Sequence, residues 1–379
     1  MKQFLPAVLG LFMLLPTPAS AREHLVYFGT YTGAKSKGIY VARFESSSGK
    51  LSAPELAAET KSPTFLALHP NGRVLYAVGE TTVVGDAKQG GVTAFTIASG
   101  TGKLQALNTK PSGGTGPCHL AVEVKGRCLF TANYGSGSVA ALPILPDGSL
   151  DAPAATIQHT GSSVNPQRQT GPHAHCVNLS PDERYLLACD LGLDKLMVYR
   201  VGENKPTLVE NDPPFAPLAP GTGPRHLAFG RSGEFVYVVN EMGSSVTVLN
   251  YDARHGTLSE TQTTSTLPDK SAGNNTCAEI AVHPSGKFVY ASNRGHDSIA
   301  VFSVNRKTGQ LTLVEHKPTQ GKTPRHFAID PTGNWLLAEN QGSDSVVVFK
   351  VNTRSGALEA TGQKLDVPSP VCAVFVPIR

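Results

Sequence analysis

Short apolar runs, many of them alternating with small or polar residues and punctuated by Gly and Pro, repeat along almost the whole chain. The plainest copy is Pro224-Arg225-His226-Leu227-Ala228-Phe229, a turn at Arg231-Ser232-Gly233, and then Phe235-Val236-Tyr237-Val238-Val239-Asn240-Glu241. It reads as two strands around a tight turn, the second ending in polar residues. The same turn recurs at Pro70-Asn71-Gly72, Val124-Lys125-Gly126, Pro181-Asp182-Glu183, Pro284-Ser285-Gly286 and Pro331-Thr332-Gly333. Copies spaced roughly 50 residues apart, each with room for about four short strands, are the mark of a β-propeller blade.

Third strands follow as further apolar stretches, such as 245–251 and 298–304, and Gly-Leu or Gly-x-Leu turns at Gly49, Gly102, Gly256, Gly309 and Gly356 lead into a fourth. No amphipathic helical period appears, so the chain is all-β. First strands begin near Pro63, Pro117, Ala174, Pro224, Cys277 and Pro324, which makes six. A second-strand phrase without a first, His24-Leu25-Val26-Tyr27-Phe28-Gly29-Thr30, opens the chain, and a first-strand phrase without a second, Pro370-Val371-Cys372-Ala373-Val374-Phe375-Val376, closes it. Joined, they make a seventh blade and leave no free sheet edge. The expected fold is a seven-bladed β-propeller over residues 22–379, its ring closed by pairing the C-terminal strand with the N-terminal blade.

Residues 1–21 fall outside the repeat. Lys2, the apolar run from Phe4 to Leu15 and Ala19-Ser20-Ala21 read as a secretory signal peptide. The run is short for a bilayer span. The mature protein is expected to start near Arg22, in the periplasm or outside the cell, with no membrane attachment after cleavage. With 16% charged residues, a net charge of +4 and no Lys/Arg run, the chain does not read as a nucleic-acid binder. Four of the six cysteines, Cys118, Cys128, Cys277 and Cys372, lie in separate strands and read as buried thiols. Cys176 and Cys189 fall opposite each other across the blade-four hairpin. Adjacent strands usually strain S–S geometry, and the sequence leaves their pairing open.

First-strand starts and second-strand ends share one face of the disc. There the first strands carry Thr64, Cys118, His175, Arg225, Ala278, Arg325 and Val371, and in the neighbouring register Phe65, His119, Cys176, His226, Glu279, His326 and Cys372. The second strands end in Thr30-Tyr31, Gly79-Glu80, Asn133-Tyr134, Asp190-Leu191, Asn240-Glu241, Asn293-Arg294 and Asn340-Gln341. Arginines beside a carboxylate and an imidazole suit an anionic substrate, since arginine grips carboxylate or phosphate bidentately and Glu or His can move a proton. His175 faces Asp190 across its hairpin, a pair that could fix a tautomer for acid–base work. His119, His226 and His326 share a register, which suggests a repeated structural hydrogen bond. The Asn column largely serves turn backbone.

No Gly-x-Ser-x-Gly, His-Glu-x-x-His, Cys-x-x-Cys or phosphate-binding Gly loop is present. A calcium ion on Glu241 with Asn240, Asn293 or Asn340 is chemically possible, but the arginines beside them argue against it. No metal and no cofactor are expected.

Gly223-Pro224-Arg225-His226, Val239-Asn240-Glu241, Ser292-Asn293-Arg294, and His173-Ala174-His175 followed by Ser180-Pro181-Asp182-Glu183-Arg184-Tyr185-Leu186 resemble the seven-bladed lactonase propellers. That family includes bacterial propeller-type 6-phosphogluconolactonases and fungal carboxy-muconate lactonizing enzymes. The resemblance runs from about His24 to Arg379. It implies an active-site set of His175, Arg225, Arg294 and Glu241, to which Arg325, His226, Asn240 and Asn293 are added as substrate-binding neighbours. It also implies a lactone hydrolase acting on a small anionic lactone or organic acid; the protein is expected to be a monomer. The export signal departs from the family's cytosolic phosphorylated substrate. Lactonisation of a muconate-like diacid needs the same parts, and a non-catalytic periplasmic binding module is the remaining alternative.

Overall fold

The computed structural model describes residues 23–85, 89–203, 206–271 and 273–378; the signal-peptide reading of residues 1–21 lies outside them. Seven antiparallel sheets form the blades of a propeller. Each of blades two to seven is a continuous run of four strands, as in blade four: Ala174–Leu179, Tyr185–Asp190, Lys195–Val201 and Leu208–Pro217. Blade one is composite, with the C-terminal strand Pro370–Pro377 pairing antiparallel to Glu23–Thr30 as its innermost strand. The closure expected from the two incomplete phrases is therefore present.

The alternating apolar positions build one hydrophobic cluster at each of the seven blade interfaces. No single core exists. The second strands show how neighbouring blades are fastened: Tyr27 donates its hydroxyl to the Gly102 carbonyl of the next blade at 2.8 Å, Tyr76 to Gly148 at 2.9 Å, Tyr237 to Gly309 at 3.1 Å and Tyr290 to Gly356 at 2.7 Å. Across the closure Trp335 Nε1 donates to the Ser46 carbonyl at 2.8 Å. This accounts for two of the Gly-x-Leu turns: Gly309 and Gly356 have φ of +71° and +82°, and a Cβ on either would run into the ring of Phe235 or Phe288.

All six cysteines are buried free thiols. Cys176 and Cys189 are register partners in the core between blades four and five and are not bridged. Among the described residues no helix is long and apolar enough to cross a membrane.

Candidate active site

The inner strands carry a repeated defect that builds the site. In five blades one residue near the strand start has no register partner: Cys118, His175, Arg225, Arg325 and Val371 are each skipped between neighbours that do pair. In blade six Ala278 and Glu279 together face Ser292. Such a bulge locally bends the strand and re-aims the side chain it carries. The column of residues that departs most from the repeat is thus the column delivered to the axis.

Cys118, His175 and Arg325 from that column meet Glu80, Tyr134, Arg168, Glu241 and Arg294 around a cavity of about 310 Å³, the size of a small-molecule site. A larger depression of about 590 Å³, lined by turn residues of the opposite face such as Asn71, Gly72 and Pro146, has only Arg73 and Asp147 as charged groups.

Glu241 organises one side of the cavity. Its Oε2 lies 3.1 Å from Arg225 Nε and 2.9 Å from Arg294, and its Oε1 accepts from Arg168 at 2.8 Å. Burial alone would lift this carboxyl; Arg294 and Arg225, with the hydrogen bond from Arg168, overturn that and hold it at about 2. Arg294 also donates to the Cys277 carbonyl at 2.8 Å, while its Nε is buried with no hydrogen-bond partner among the described residues. Arg168 donates in addition to the Tyr134 hydroxyl at 3.1 Å.

His175 lies in the same wall, with the Tyr134 and His226 rings at 5.4 and 5.2 Å between centroids and Cys118 Sγ 3.8 Å from Nδ1. Burial, reinforced by Arg225, keeps its pKa well below the usual imidazole value, so the ring is neutral at pH 7. Burial also pushes Cys118 far above the usual thiol range, which leaves it an unreactive neighbour.

Four expectations change. Asp190 does not pair with His175: the bulge turns His175 into the channel, Asp190 stands opposite Ala174, and its carboxylate binds His159 at 2.6 Å. Arg225 does not line the cavity. At 2% exposure it spends its donors on Glu241, on the Ala278 carbonyl at 2.7 Å and on His226 Nε2 at 3.2 Å. Because a guanidinium can only donate, His226 Nε2 accepts, and its Nδ1–H points to Glu279 Oε2 at 3.0 Å. Burial holds His226 down at about 4, so it is a neutral prop beneath the cavity rather than a substrate contact. Asn240 and Asn293 also lie away from the cavity. Asn240 donates to Ser245 and Thr247 at 2.9 Å each, and Asn293 binds the Thr266 carbonyl at 2.8 Å and accepts from the Thr266 hydroxyl at 2.8 Å.

Tyr31, Glu80 and Tyr134 were placed on this face by the register but given no role. Arg168 was missed altogether, because it comes from the loop between Gln158 and Ala174, which belongs to no repeat. The unusual length of that loop was the available signal.

The family model described as "Lactonase, 7-bladed beta-propeller" matches residues 25–375. The chain belongs to the seven-bladed β-propeller lactonase family. It is 39% identical over 303 residues to a 6-phosphogluconolactonase of Bacillus subtilis, covering 80% of this chain and 84% of the relative. A 6-phosphogluconolactonase of Formosa agariphila is 33% identical over 307 residues, 79% of this chain and 85% of that one. Among solved structures, a periplasmic gluconolactonase of Pseudomonas aeruginosa superposes with a TM-score of 0.88 at 36% identity, covering 94% of this chain and all (100%) of that chain. In this lactonase propeller the implied histidine, glutamate and two arginines fall within one connected cluster, with Arg225 behind the wall and the other three on it.

Proposed function

We propose that this protein is an exported hydrolase of a small sugar-acid or organic-acid lactone, working with its own side chains rather than a metal. The observation that carries the reading is a buried neutral imidazole, His175, lining the same cavity as Arg168 and Arg294. His175 takes a proton from water as the water oxygen bonds to the lactone carbonyl carbon. The carbonyl oxygen becomes an oxyanion, which Arg294 and Arg168 stabilise. When the ring C–O bond breaks, the imidazolium returns its proton to the leaving alkoxide. The product is a hydroxy acid, whose carboxyl group then releases its remaining proton to solvent and stands as a carboxylate beside the arginines.

Glu241, ionised and engaged by three guanidiniums, aligns the cations instead of acting as the base. On the cavity wall three guanidiniums face two carboxylates, a surplus of one positive charge that matches the single negative charge developing in the transition state. The donor set supports a metal-free reaction: Glu241 is taken by arginines, and among the described residues no group of three or more His, Cys, Asp or Glu is placed to hold a metal ion. The leader pattern and the likeness to a periplasmic gluconolactonase support export.

The test is titration of acid release by the purified mature protein from gluconolactone and 6-phosphogluconolactone, with and without chelator. Turnover of at least one lactone, indifferent to chelator and lost in His175→Ala, is the expected result. No turnover with any lactone, together with saturable ligand binding, would replace the enzyme by a binding module. An N-terminus near Arg22 on protein recovered from the periplasm or medium checks export.

A further inference from the structure

The two ends of the cavity differ in charge and in what they offer a ligand. At one end Arg168, Arg294 and Glu241 stand beside Tyr134 and His175, with Arg225 behind them. The other end is built by blades one, two and seven. There Arg325 donates to the Tyr31 hydroxyl at 3.1 Å, and that hydroxyl donates to Glu80, whose two oxygens lie 2.9 and 2.8 Å away. Arg325 also stacks over the Tyr31 ring, 5.4 Å from its centroid.

This second carboxylate is not spent as Glu241 is. Glu241 has three guanidiniums within salt-bridge distance, whereas among the described residues the side-chain donor on Glu80 is Tyr31. An ionised carboxylate has about four acceptor positions, and one hydroxyl proton fills one of them. Glu80 therefore borders the cavity with acceptor capacity left over. Tyr31 has committed its proton, and Arg325 is braced against Tyr31. Such an end offers acceptor positions to ligand hydroxyls, and its one carboxylate offsets its one guanidinium, so it lacks the cationic surplus of the other end.

We propose that Glu80, braced by Tyr31 and Arg325, is the specificity-determining residue of this site: it accepts hydrogen bonds from the hydroxyls of an unphosphorylated, polyhydroxylated lactone whose carbonyl lies at the His175–Arg294 end. This rests on the lactonase reading above. A carboxylate gripping hydroxyls makes charge-assisted bonds, and a site built for a hydroxyl discriminates strongly against ligands that do not supply one.

The experiment compares the parent with Glu80→Gln, which keeps the side-chain shape and removes the charge; matched melting curves check that the variant is folded. With glucono-δ-lactone, KM should rise roughly ten- to hundred-fold, the worth of one charge-assisted hydrogen bond, with the smaller effect on kcat. The ratio of kcat/KM for 6-phosphogluconolactone to that for plain gluconolactone should rise in the variant. An unchanged KM and an unchanged ratio would overturn the subsite and leave the lactonase reading intact. If the parent hydrolyses neither lactone, the lactonase reading falls and calorimetry decides the subsite. Gluconate binding tighter than hexanoate, with the preference lost in Glu80→Gln, supports it; no preference in the parent overturns it.

Discussion

Asp190 Oδ2 lies 2.6 Å from His159 Nδ1, in a pair with no solvent exposure. A carboxylate can only accept, so His159 Nδ1–H donates to it, and the other imidazole nitrogen lies 2.7 Å from the Tyr199 hydroxyl. Asp190 Oδ1 meanwhile accepts from the backbone amides of His173, Gly192 and Leu193. His159 and His173 are the two ends of the loop that carries Arg168 into the cavity. One buried carboxylate thus clamps both feet of the loop. His159→Ala should raise KM about ten-fold through misplacement of Arg168, and should cost about 1–3 kcal/mol of stability for the partners it strands. Steady-state kinetics of His159→Ala, Arg168→Ala and the double variant check this. The two losses should combine to less than their sum because both act through Arg168.

The same carboxylate shows what the sequence could and could not disclose. The ring, the blade count and the closure were legible because strand periodicity and turn residues repeat, so each blade reports on the others. Face and column followed from hairpin direction. The pairing of Asp190 with His175 looked sound on an undistorted ladder, and it fails because the bulge shifts the register by one, sending His175 to the axis. Arg225 and Arg325 share that column, yet the register cannot show which reaches the cavity; Glu241 draws Arg225 back, and Tyr31 holds Arg325 at the wall. Arg168 was beyond any repeat-based reading.

The pH dependence of hydrolysis should report His175. The active form is the neutral imidazole, and burial together with Arg225 lowers its pKa, so the acid limb of kcat/KM must shift downward. Activity should hold through the range where an ordinary histidine protonates, near pH 6.5, and fall only at more acidic pH. His175→Asn should lose roughly 100- to 10,000-fold in kcat and abolish that limb. A pH–rate profile of the parent breaking at or above pH 6.5 would remove His175 from the role of base.

Glu241 should be a stability residue as well as a site residue. Its carboxyl titrates at about 2 when folded against 4.5 for the free group, so its contribution is complete above the unfolded value and is lost as pH falls toward 2. The difference is worth about 3 kcal/mol. Glu241→Gln strands Arg225, which is buried at 2% exposure, and should cost about 3–5 kcal/mol at neutral pH. Urea unfolding at pH 7 and pH 4 checks both statements: the variant should be weaker at pH 7 and should lose less on acidification than the parent.

The closing strand makes the last prediction. Pro370–Pro377 pairs with Glu23–Thr30, placing Ala373 in the core between blades seven and one and Cys372 and Val376 in the core between blades one and two. Removing it opens two hydrophobic clusters at once and bares the edge of a strand whose Val26, Tyr27 and Phe28 are fully buried. An unpaired apolar edge of this kind recruits other chains. A chain ending before Pro370 should therefore lose its cooperative unfolding transition, bind a hydrophobic dye and aggregate. Because the missing element is a strand that docks by main-chain hydrogen bonds, a peptide spanning residues 370–377 supplied in trans should restore part of the transition, as β-augmentation does elsewhere. Calorimetry with and without the peptide checks this; an unaltered transition in the truncated chain would show that the ring does not depend on its closure.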